Sequence, residues 1–191
     1  MGDVTTLPWS RALTYADLAS MPDDGHRYEL LDGTLVVSPA PSPLHQRAVL
    51  SLAVLLRDAT HETDLETLIA PLDVVLADDT VVEPDVLVAR RADLTDRGLR
   101  AAPIVAVEVI SPSTVRFDRL LKYSRYATAG IAHYWIVDPV EPSLTAYELD
   151  SSGTYVELAH VIGNEPFTAT RPVHVTVVPS ALVASTTPTV D

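Results

Sequence analysis

A run of seven residues, 104–110, constrains the fold of this chain more than any other feature. It reads IVAVEVI and is apolar except for one glutamate. Strands with one face in water alternate apolar and polar residues, whereas a continuous apolar run is typical of a strand covered on both faces. The run therefore predicts a central strand with structure packed on each side, which is the layout of an α/β protein.

The segments around this strand show the periodicities of helices and further strands. Asp32–Gly33, between two short β-prone runs, is the strongest local signal of a β-hairpin. The other predicted elements are a short helix over 14–20, an amphipathic helix over 44–59, strands over 68–76, 86–89 and 133–137, a helix over 117–129, a hairpin of 144–149 with 155–161, and a candidate last strand over 173–178. This order predicts an α/β sandwich with a mixed sheet.

The length of 191 residues is that of one domain large enough to bury a core. We expect a single domain over 1–191, with a core at about 14–149, a C-terminal β extension at about 150–182 and a frayed tail at 185–191. The chain has no cysteine, which excludes disulfides and cysteine chemistry. Because the sequence has no run of eighteen apolar residues and no signal-peptide pattern, we expect a cytoplasmic protein.

Charge is distributed unevenly along the chain. The formal net charge of −13 argues against strong nonspecific binding of nucleic acid, because such binding depends on neutralising phosphates. Residues 113–130 nevertheless carry four cations and one acid, a net charge of +3 that leaves −16 for the rest. In this segment Arg116, Arg119 and Arg125 are candidate nucleic-acid contacts. The alternative is a solvated helix face in an acidic protein.

Two carboxylates occur where strands are predicted. Glu108 lies within the apolar run, and a buried carboxylate is costly unless a partner or a metal ion compensates it. Asp85 follows Pro84, which marks a strand start or edge, so we expect Asp85 near the end of a sheet, with Glu83 as a candidate substitute. The alternatives are a structural ion pair for Glu108 and an ordinary turn acid for Asp85.

Lys122 is the only lysine of the chain, against twelve arginines. An ammonium is a compact point charge that suits contact with one phosphate or one water, whereas a guanidinium is a flat fork. Two carboxylates and a lysine could together support hydrolysis. The carboxylates can hold an ion of the Mg²⁺ type, and the lysine can offset charge that develops in the transition state. The alternative is that Lys122 is a stray surface charge.

Six motifs occur in order between about residues 14 and 149. They are YELLDG (28–33), the proline- and serine-rich approach to His45, EPDVLV (83–88), VEVISPST (107–114), the D-x-x-x-K of 118–122, and GIAHYWIVDP (130–139). The set resembles the PD-(D/E)XK nuclease superfamily and, more closely, the Uma family of restriction-endonuclease-like proteins, long catalogued as a domain of unknown function.

The resemblance implies a restriction-endonuclease-like αβββαβ core with a mixed sheet, an N-terminal helix and β-hairpin, and a C-terminal β appendix. It implies Asp85 and Glu108 as ligands of Mg²⁺ or Mn²⁺, and Glu29 and His45 match further family positions. The sequence departs from the superfamily pattern at the lysine, which is expected two residues after the acid, where Ile110 stands. Lys122, in the following helix, is where this family supplies the ammonium.

These features predict a Mg²⁺-dependent endonuclease that hydrolyses DNA phosphodiester bonds with a metal-activated water. Asp85, Glu108 and Lys122 are the expected catalytic residues. The alternative is an inactive nuclease-fold module that binds nucleic acid or serves as an assembly subunit, which the net acidity and the displaced lysine favour. We also expect a homodimer, in which the C-terminal β appendix pairs across the interface.

Overall fold

The computed structural model describes residues 11–22, 24–111 and 117–185, which form α-helices and short β-strands. The helices are α1 (Tyr15–Leu18), α2 (Pro43–Thr60), α3 (Tyr123–Ala129) and α4 (Pro179–Val183). The strands are β1 (Arg27–Leu31), β2 (Thr34–Ser38), β3 (Leu65–Ile69), β4 (Val74–Ala77), β5 (Thr80–Val82), β6 (Val86–Arg90), β7 (Leu94–Thr95), β8 (Gly98–Leu99), β9 (Val105–Val109), β10 (His133–Asp138), β11 (Ser143–Leu149), β12 (Tyr155–Ile162), β13 (Phe167–Ala169) and β14 (Val175–Val177).

The main sheet has six strands in the order β12-β11-β10-β9-β6-β3. Strands β9 and β10 are parallel and the other neighbours are antiparallel, so the sheet is mixed. The connection between β9 and β10 contains α3, and α2 precedes β3. The order α2, β3, β6, β9, α3, β10 therefore confirms the predicted αβββαβ core, with the apolar run as the interior strand β9.

A second six-stranded sheet has the order β2-β1-β5-β4-β8-β7. Its first two strands form the predicted hairpin, in which Leu31 pairs with Thr34. The two turn residues, Asp32 and Gly33, both have positive φ, 52° and 70°. Such a turn matches the twist of the flanking strands, which explains the Asp-Gly pair at this position.

The two faces of β9 belong to different cores. Val105, Val107 and Val109 pack in a wholly apolar cluster with residues of α2 and α4. On the opposite face, Ala106 and Ile110 belong to a cluster that includes side chains of α3 and β10. Glu108 lies between Ala106 and Ile110 in the alternation, so it points toward the second cluster.

The predicted strand over 68–76 is wrong. The chain instead forms β3, which ends at Ile69 in the main sheet, and β4, which begins at Val74 in the second sheet. Pro71 lies between them, and because proline has no N–H to donate to a ladder it favours an interruption there. One continuous strand is thus replaced by two short ones in different sheets.

The helix predicted over 117–129 is present in two parts. The segment Phe117–Lys122 is π-helical, and α3 continues from Tyr123. Gly130 ends α3 with a φ of 79°, which confirms the expected glycine cap.

The C-terminal prediction was only partly complete. It included β11, β12 and β14, but it missed β13, which pairs with β14. Residues 186–191 of the predicted frayed tail lie outside the described residues. In the part of the chain that the structure describes, no helix is long and apolar enough to cross a membrane.

Candidate active site

Charged side chains cluster where the chain passes from the second sheet into the main sheet, through residues 83–85. Six of them, which we call the junction cluster, come from both sheets and from the end of the π-helical segment. The cluster comprises Arg27, Glu29, Glu83, Asp85, Glu108 and Lys122. Its acids and its lysine are only 2–7% exposed. Residues of these types are almost never buried to this extent unless they are paired.

Strand register brings the two predicted carboxylates together. Val86 at the start of β6 pairs with Val107 of β9 in an antiparallel ladder. Asp85 directly precedes β6, and extending this register by one step places it across from Glu108. The backbone N–H of Val109 donates to Asp85 Oδ2 at 2.8 Å, which fixes the aspartate at this position.

Asp85 is also held by two basic side chains. Arg27 Nη1 lies 2.8 Å from Asp85 Oδ1, and His45 Nε2 lies 3.2 Å from Asp85 Oδ2. Burial acts to raise the pKa of the Asp85 carboxyl group, but the hydrogen bond with His45 and the charge of Arg27 outweigh it and lower the pKa to about 2. Asp85 is consequently an anion at neutral pH.

Lys122 points into the protein and bridges two glutamates. Its Nζ lies 2.9 Å from Glu29 Oε1 and 3.1 Å from Glu108 Oε1, and the residue is 3% exposed. Tyr126 lies one helical turn later on the same face and donates its hydroxyl to Glu108 Oε1 at 2.6 Å. The structure therefore brings Lys122 into contact with Glu108, as expected if the lysine belongs to the site.

Glu29 receives more partners than a hairpin acid needs. Besides Lys122, its Oε1 accepts a hydrogen bond from the backbone N–H of Glu83 at 2.8 Å. Burial acts to raise the pKa of Glu29, but the charges of Lys122 and Arg27 outweigh it, so the pKa is lowered. Glu29 thus links Lys122 to residue 83 in the segment that connects the two sheets.

Arg27 and Glu83 face each other with imperfect geometry. Arg27 Nη2 donates to the backbone carbonyl of Glu83, and Arg27 Nε lies 3.3 Å from Glu83 Oε2. Within the described residues, neither Arg27 Nε nor Glu83 Oε2 has a hydrogen-bond partner. Burial raises the pKa of Glu83 to about 7, against the opposing charge of Arg27. Glu83 is therefore the acid of the cluster whose side chain is most readily available to a new partner.

His45 reaches the site from the first turn of α2. Ser42 caps this helix by accepting a hydrogen bond from the His45 backbone N–H at 3.2 Å. The capped turn directs the imidazole toward Asp85, while its Nδ1 is buried and has no hydrogen-bond partner among the residues that the structure describes. His45, which matches a family position, therefore lies beside Asp85, a predicted metal ligand.

The junction cluster has the charge and the donors that suit a divalent cation. Its four acids and two bases give a formal net charge of −2. Carboxylate oxygens are the ligands that Mg²⁺ prefers, and Glu83 offers one without a hydrogen-bond partner in the described structure. No three His, Asp or Glu side chains among the described residues form a ready metal cage. Mg²⁺ does not need one, since it commonly binds through one or two carboxylates and several waters.

Of the three arginines predicted to bind nucleic acid, the structure describes the side chain of Arg125 alone. Arg125 makes an ion pair with Asp32 at the hairpin turn, and its side chain is 39% exposed. Arg116 lies outside the described residues, and the side chain of Arg119 also lies outside the described structure. The geometry therefore places only Arg125, on the surface and already paired.

Two functional candidates were missed by the sequence reasoning. Arg27 precedes the YELLDG motif, and strand alternation places it on the same face of β1 as Glu29, a signal that was available. Tyr126 follows Lys122 by four residues, which is one helical turn. Both residues contact acids of the cluster directly.

Comparison with known proteins agrees with this fold. The model of the family described as "Uma2: Putative restriction endonuclease" matches residues 14–178 of the chain. The chain is also similar to a solved crystal structure from Anabaena variabilis, described as "a putative nuclease belonging to DUF820". The TM-score is 0.69 at 15% sequence identity, over 90% of this chain and 97% of that chain. At this identity the likeness shows the fold alone. No curated protein matches the chain in sequence.

Proposed function

The chain belongs to the Uma2 family, and from this premise we propose that it is a Mg²⁺-dependent endonuclease of the PD-(D/E)XK type that hydrolyses DNA phosphodiester bonds. The observation that carries the proposal is the convergence of Asp85, Glu108 and Lys122 at one buried junction. Lys122 Nζ is 3.1 Å from Glu108, and Asp85 accepts a hydrogen bond from the backbone N–H of Val109, the next residue of β9.

Stability alone is a poor explanation for this convergence. Removing charges from water costs several kcal/mol per ion, and well-packed apolar residues often serve the fold as well or better. The network here combines several acids with only two bases, so its repulsion is not fully compensated. Buried, mutually perturbed charges of this kind favour a catalytic role.

The acids of the cluster fit a divalent ion, and we assign Asp85 and Glu108 as the residues that would hold it. When bound, such an ion polarises the phosphate and supplies a water of lowered pKa. Glu29 is assigned a different task, which is to hold Lys122, since its Oε1 contacts both Lys122 Nζ and the backbone N–H of Glu83. Glu83 is a further candidate ligand, since its Oε2 has no hydrogen-bond partner in the described structure.

The other contacts keep the two carboxylates and the ammonium in position. The Val109 N–H holds Asp85 and the Tyr126 hydroxyl holds Glu108, so neither acid depends on substrate for its orientation. Lys122 is restrained between two glutamates, which places a positive charge beside the acids before substrate arrives. Such a preorganised charge can stabilise the negative charge that develops on a phosphate during hydrolysis.

DNA binding by an acidic protein requires a local positive surface. We propose Arg116, Arg119 and Arg125 as phosphate contacts around the site. Arg125 can contact a phosphate only if it leaves Asp32. The ion pair between these two exposed side chains is weak, so Arg125 can exchange one partner for the other.

The second candidate function is a nuclease-fold module without activity. One observation favours it: both oxygens of Asp85 already have partners, Arg27, His45 and the Val109 N–H. While these contacts persist, they compete with an ion for the oxygens of Asp85. A protein of this kind would bind nucleic acid or an assembly partner without cleaving.

Cleavage of a labelled DNA oligonucleotide, with Mg²⁺ or with a chelator, tests the proposal. We expect cleavage by the wild type only with Mg²⁺ or Mn²⁺, and a loss of about 100-fold or more in Glu108→Gln. Glu66→Gln is a matched control, because Glu66 lies on edge strand β3 with a side chain 43% exposed. Absence of metal-dependent cleavage of any nucleic acid would leave the inactive module as the better account.

We also propose that the protein forms a homodimer through β12, which is an edge strand of the main sheet. Val156, Leu158 and Ile162 on this strand are 50–57% exposed. An exposed apolar edge strand can pair with a second copy. Light scattering should give twice the chain mass of 20.6 kDa, and a monomeric mass at high concentration would contradict the dimer.

A further inference from the structure

A cavity of about 600 Å³ opens on the main sheet, and its described lining residues do not include any member of the junction cluster. Its volume lies in the range of about 300–1,000 Å³ that is typical of small-molecule sites. Residues of the π-helical segment, α3 and three strands line it: Leu120, Tyr123, Ile136, Thr145, Tyr147, Glu157 and His160. None of these residues has a role in the site described above.

Strand register connects this cavity to the proposed catalytic residues. Glu108 of β9 pairs with Ile136 of β10, which pairs with Thr145 of β11, which pairs with His160 of β12. Paired residues share a face, so these side chains form one row across the sheet. Adjacent strands are about 4.8 Å apart, which places Thr145 about 10 Å and His160 about 14 Å from Glu108. The cavity thus continues the active site along the same face.

The lining of the cavity suits a flat aromatic ligand. The rings of Tyr123 and Tyr147 stand at 89° to each other with centroids 5.2 Å apart, so they meet edge to face and form an aromatic corner. The Tyr123 hydroxyl is anchored to the Tyr155 backbone carbonyl at 3.2 Å. Thr145 and His160 add polar groups, joined by a contact of 2.9 Å between Oγ1 and Nδ1.

The charge of the lining argues for a base rather than a phosphate. Among the lining residues that the structure describes, none is Arg or Lys, and Glu157 contributes a carboxylate. A carboxylate repels phosphate but can accept hydrogen bonds from the N–H groups of a nucleobase. We propose that the cavity binds one unpaired nucleobase next to the phosphate that is cleaved, stacked on Tyr147.

This inference rests on the proposed function and narrows its substrate class. In a duplex each base is stacked and paired, so a base can enter a lateral cavity only if it is extruded or already unpaired. Extrusion costs a few kcal/mol, least for mismatched or single-stranded sites. The preferred substrate is therefore single-stranded DNA or DNA with a locally unpaired base, rather than perfect duplex.

Fluorescence anisotropy of the wild-type protein in chelator, with a labelled 12-nucleotide single strand and the matching blunt duplex, tests the inference. We expect tighter binding of the single strand by about tenfold or more. Tyr147→Leu should weaken single-strand binding by about 5- to 100-fold, since one stacked base is lost, and should leave duplex binding unchanged. Tyr147→Phe, which keeps the ring, should bind like the wild type.

Two further variants separate binding from folding. His160→Ala removes an exposed side chain of the cavity and should weaken single-strand binding. Leu50→Ala alters an exposed side chain on α2, which packs on the opposite face of the main sheet, and should leave single-strand binding unchanged. Equal affinity for single strand and duplex, or unchanged single-strand binding in Tyr147→Leu, would overturn the inference.

Parallel cleavage assays with Mg²⁺ distinguish this failure from failure of the proposed function. Cleavage without any single-strand preference or Tyr147 dependence would refute the base site and leave the nuclease. A Tyr147-dependent single-strand preference without cleavage would support the base site and refute the nuclease.

Discussion

The two faces of strand β9 satisfy burial in opposite ways. On one face, Val105, Val107 and Val109 pack against apolar side chains and need no partners. On the other face, Glu108 lies between apolar neighbours and is only 2% exposed, but it contacts both Lys122 and Tyr126. The first face can tolerate changes that keep volume, whereas the second depends on every member of a network.

This difference indicates which face serves the fold and which serves chemistry. Apolar packing stabilises without specifying any reaction. Buried charge stabilises weakly, so its retention on one face of the same strand requires another reason. The comparison predicts that substitutions on the polar face reduce activity and stability together, whereas those on the apolar face reduce stability alone.

The largest expected effect is that of Lys122→Met. It leaves Glu29 and Glu108 without their shared ammonium, and breaking a buried pair costs about 3–5 kcal/mol. We expect this loss in the free energy of unfolding, measured with denaturant, together with a loss of cleavage. Leu121→Ala, at a neighbouring exposed position, should remain near wild type.

A second substitution should separate the two effects. Adding Glu108→Gln to Lys122→Met removes one of the orphaned charges. The coupling between such neighbours is about 0.5–3 kcal/mol, so the double variant should be more stable than Lys122→Met. Cleavage should stay lost. A double variant that is destabilised by the sum of both single changes would show that the pair is not coupled.

The apolar face provides the next test through Leu52→Ala. Leu52 lies on α2, is fully buried, and belongs to the cluster of Val107. Truncation of such a leucine costs about 2–5 kcal/mol. Thermal or denaturant unfolding should show this loss, while cleavage per folded molecule should be unchanged. A loss of activity as large as that of Lys122→Met would break the distinction between the two faces. Leu50→Ala, 64% exposed on the same helix, is the control.

Arg27→Met should change how the protein responds to metal. Arg27 pairs with Asp85 and lies beside Glu83, so it competes with any cation for these acids. We expect the variant to be less stable in chelator and to gain more from Mg²⁺ than the wild type does. A tenfold tighter site corresponds to about 1.4 kcal/mol of added stabilisation at saturating ion. An equal gain in stability from Mg²⁺ in the variant and the wild type would mean that Arg27 does not compete with the ion for these acids.

The smallest expected effect is the pH dependence caused by Glu83. Its pKa is raised to about 7 by burial, against 4.5 for an ordinary glutamate. The folded state therefore binds more protons than the unfolded state between these values, so this group makes stability fall as pH rises from about 4.5 to about 7. In chelator, Glu83→Gln, which cannot ionise, should show a shallower fall in the free energy of unfolding over this pH range than the wild type. An identical slope in both proteins would contradict the assignment.

Much of this arrangement could be predicted from local sequence. The burial of Glu108 follows from the apolar run around it, and the hairpin follows from Asp32–Gly33. The order of helices and strands around β9 was predictable from periodicity. Pro71 was also a local signal for the interruption between β3 and β4, although the sequence analysis predicted one strand across it.

Partner choice could not be predicted in the same way. Arg27 reaches acids more than fifty positions away, and such a contact depends on how the two sheets meet. Tyr126 has the pattern of an ordinary core aromatic, because nothing local shows that its hydroxyl meets Glu108. The segment Phe117–Lys122 is likewise π-helical, whereas the sequence predicted one regular helix from residue 117 to residue 129.

Calorimetric titration of the chelator-treated protein with Mg²⁺ tests most directly whether the junction cluster is a metal-binding catalytic centre. The account predicts one bound ion in the wild type, together with binding that is abolished or at least about tenfold weaker in Asp85→Asn and Glu108→Gln. Binding in Glu66→Gln should match the wild type. No heat of binding in the wild type, or equal binding in all four proteins, would show that the buried charges form a structural network instead.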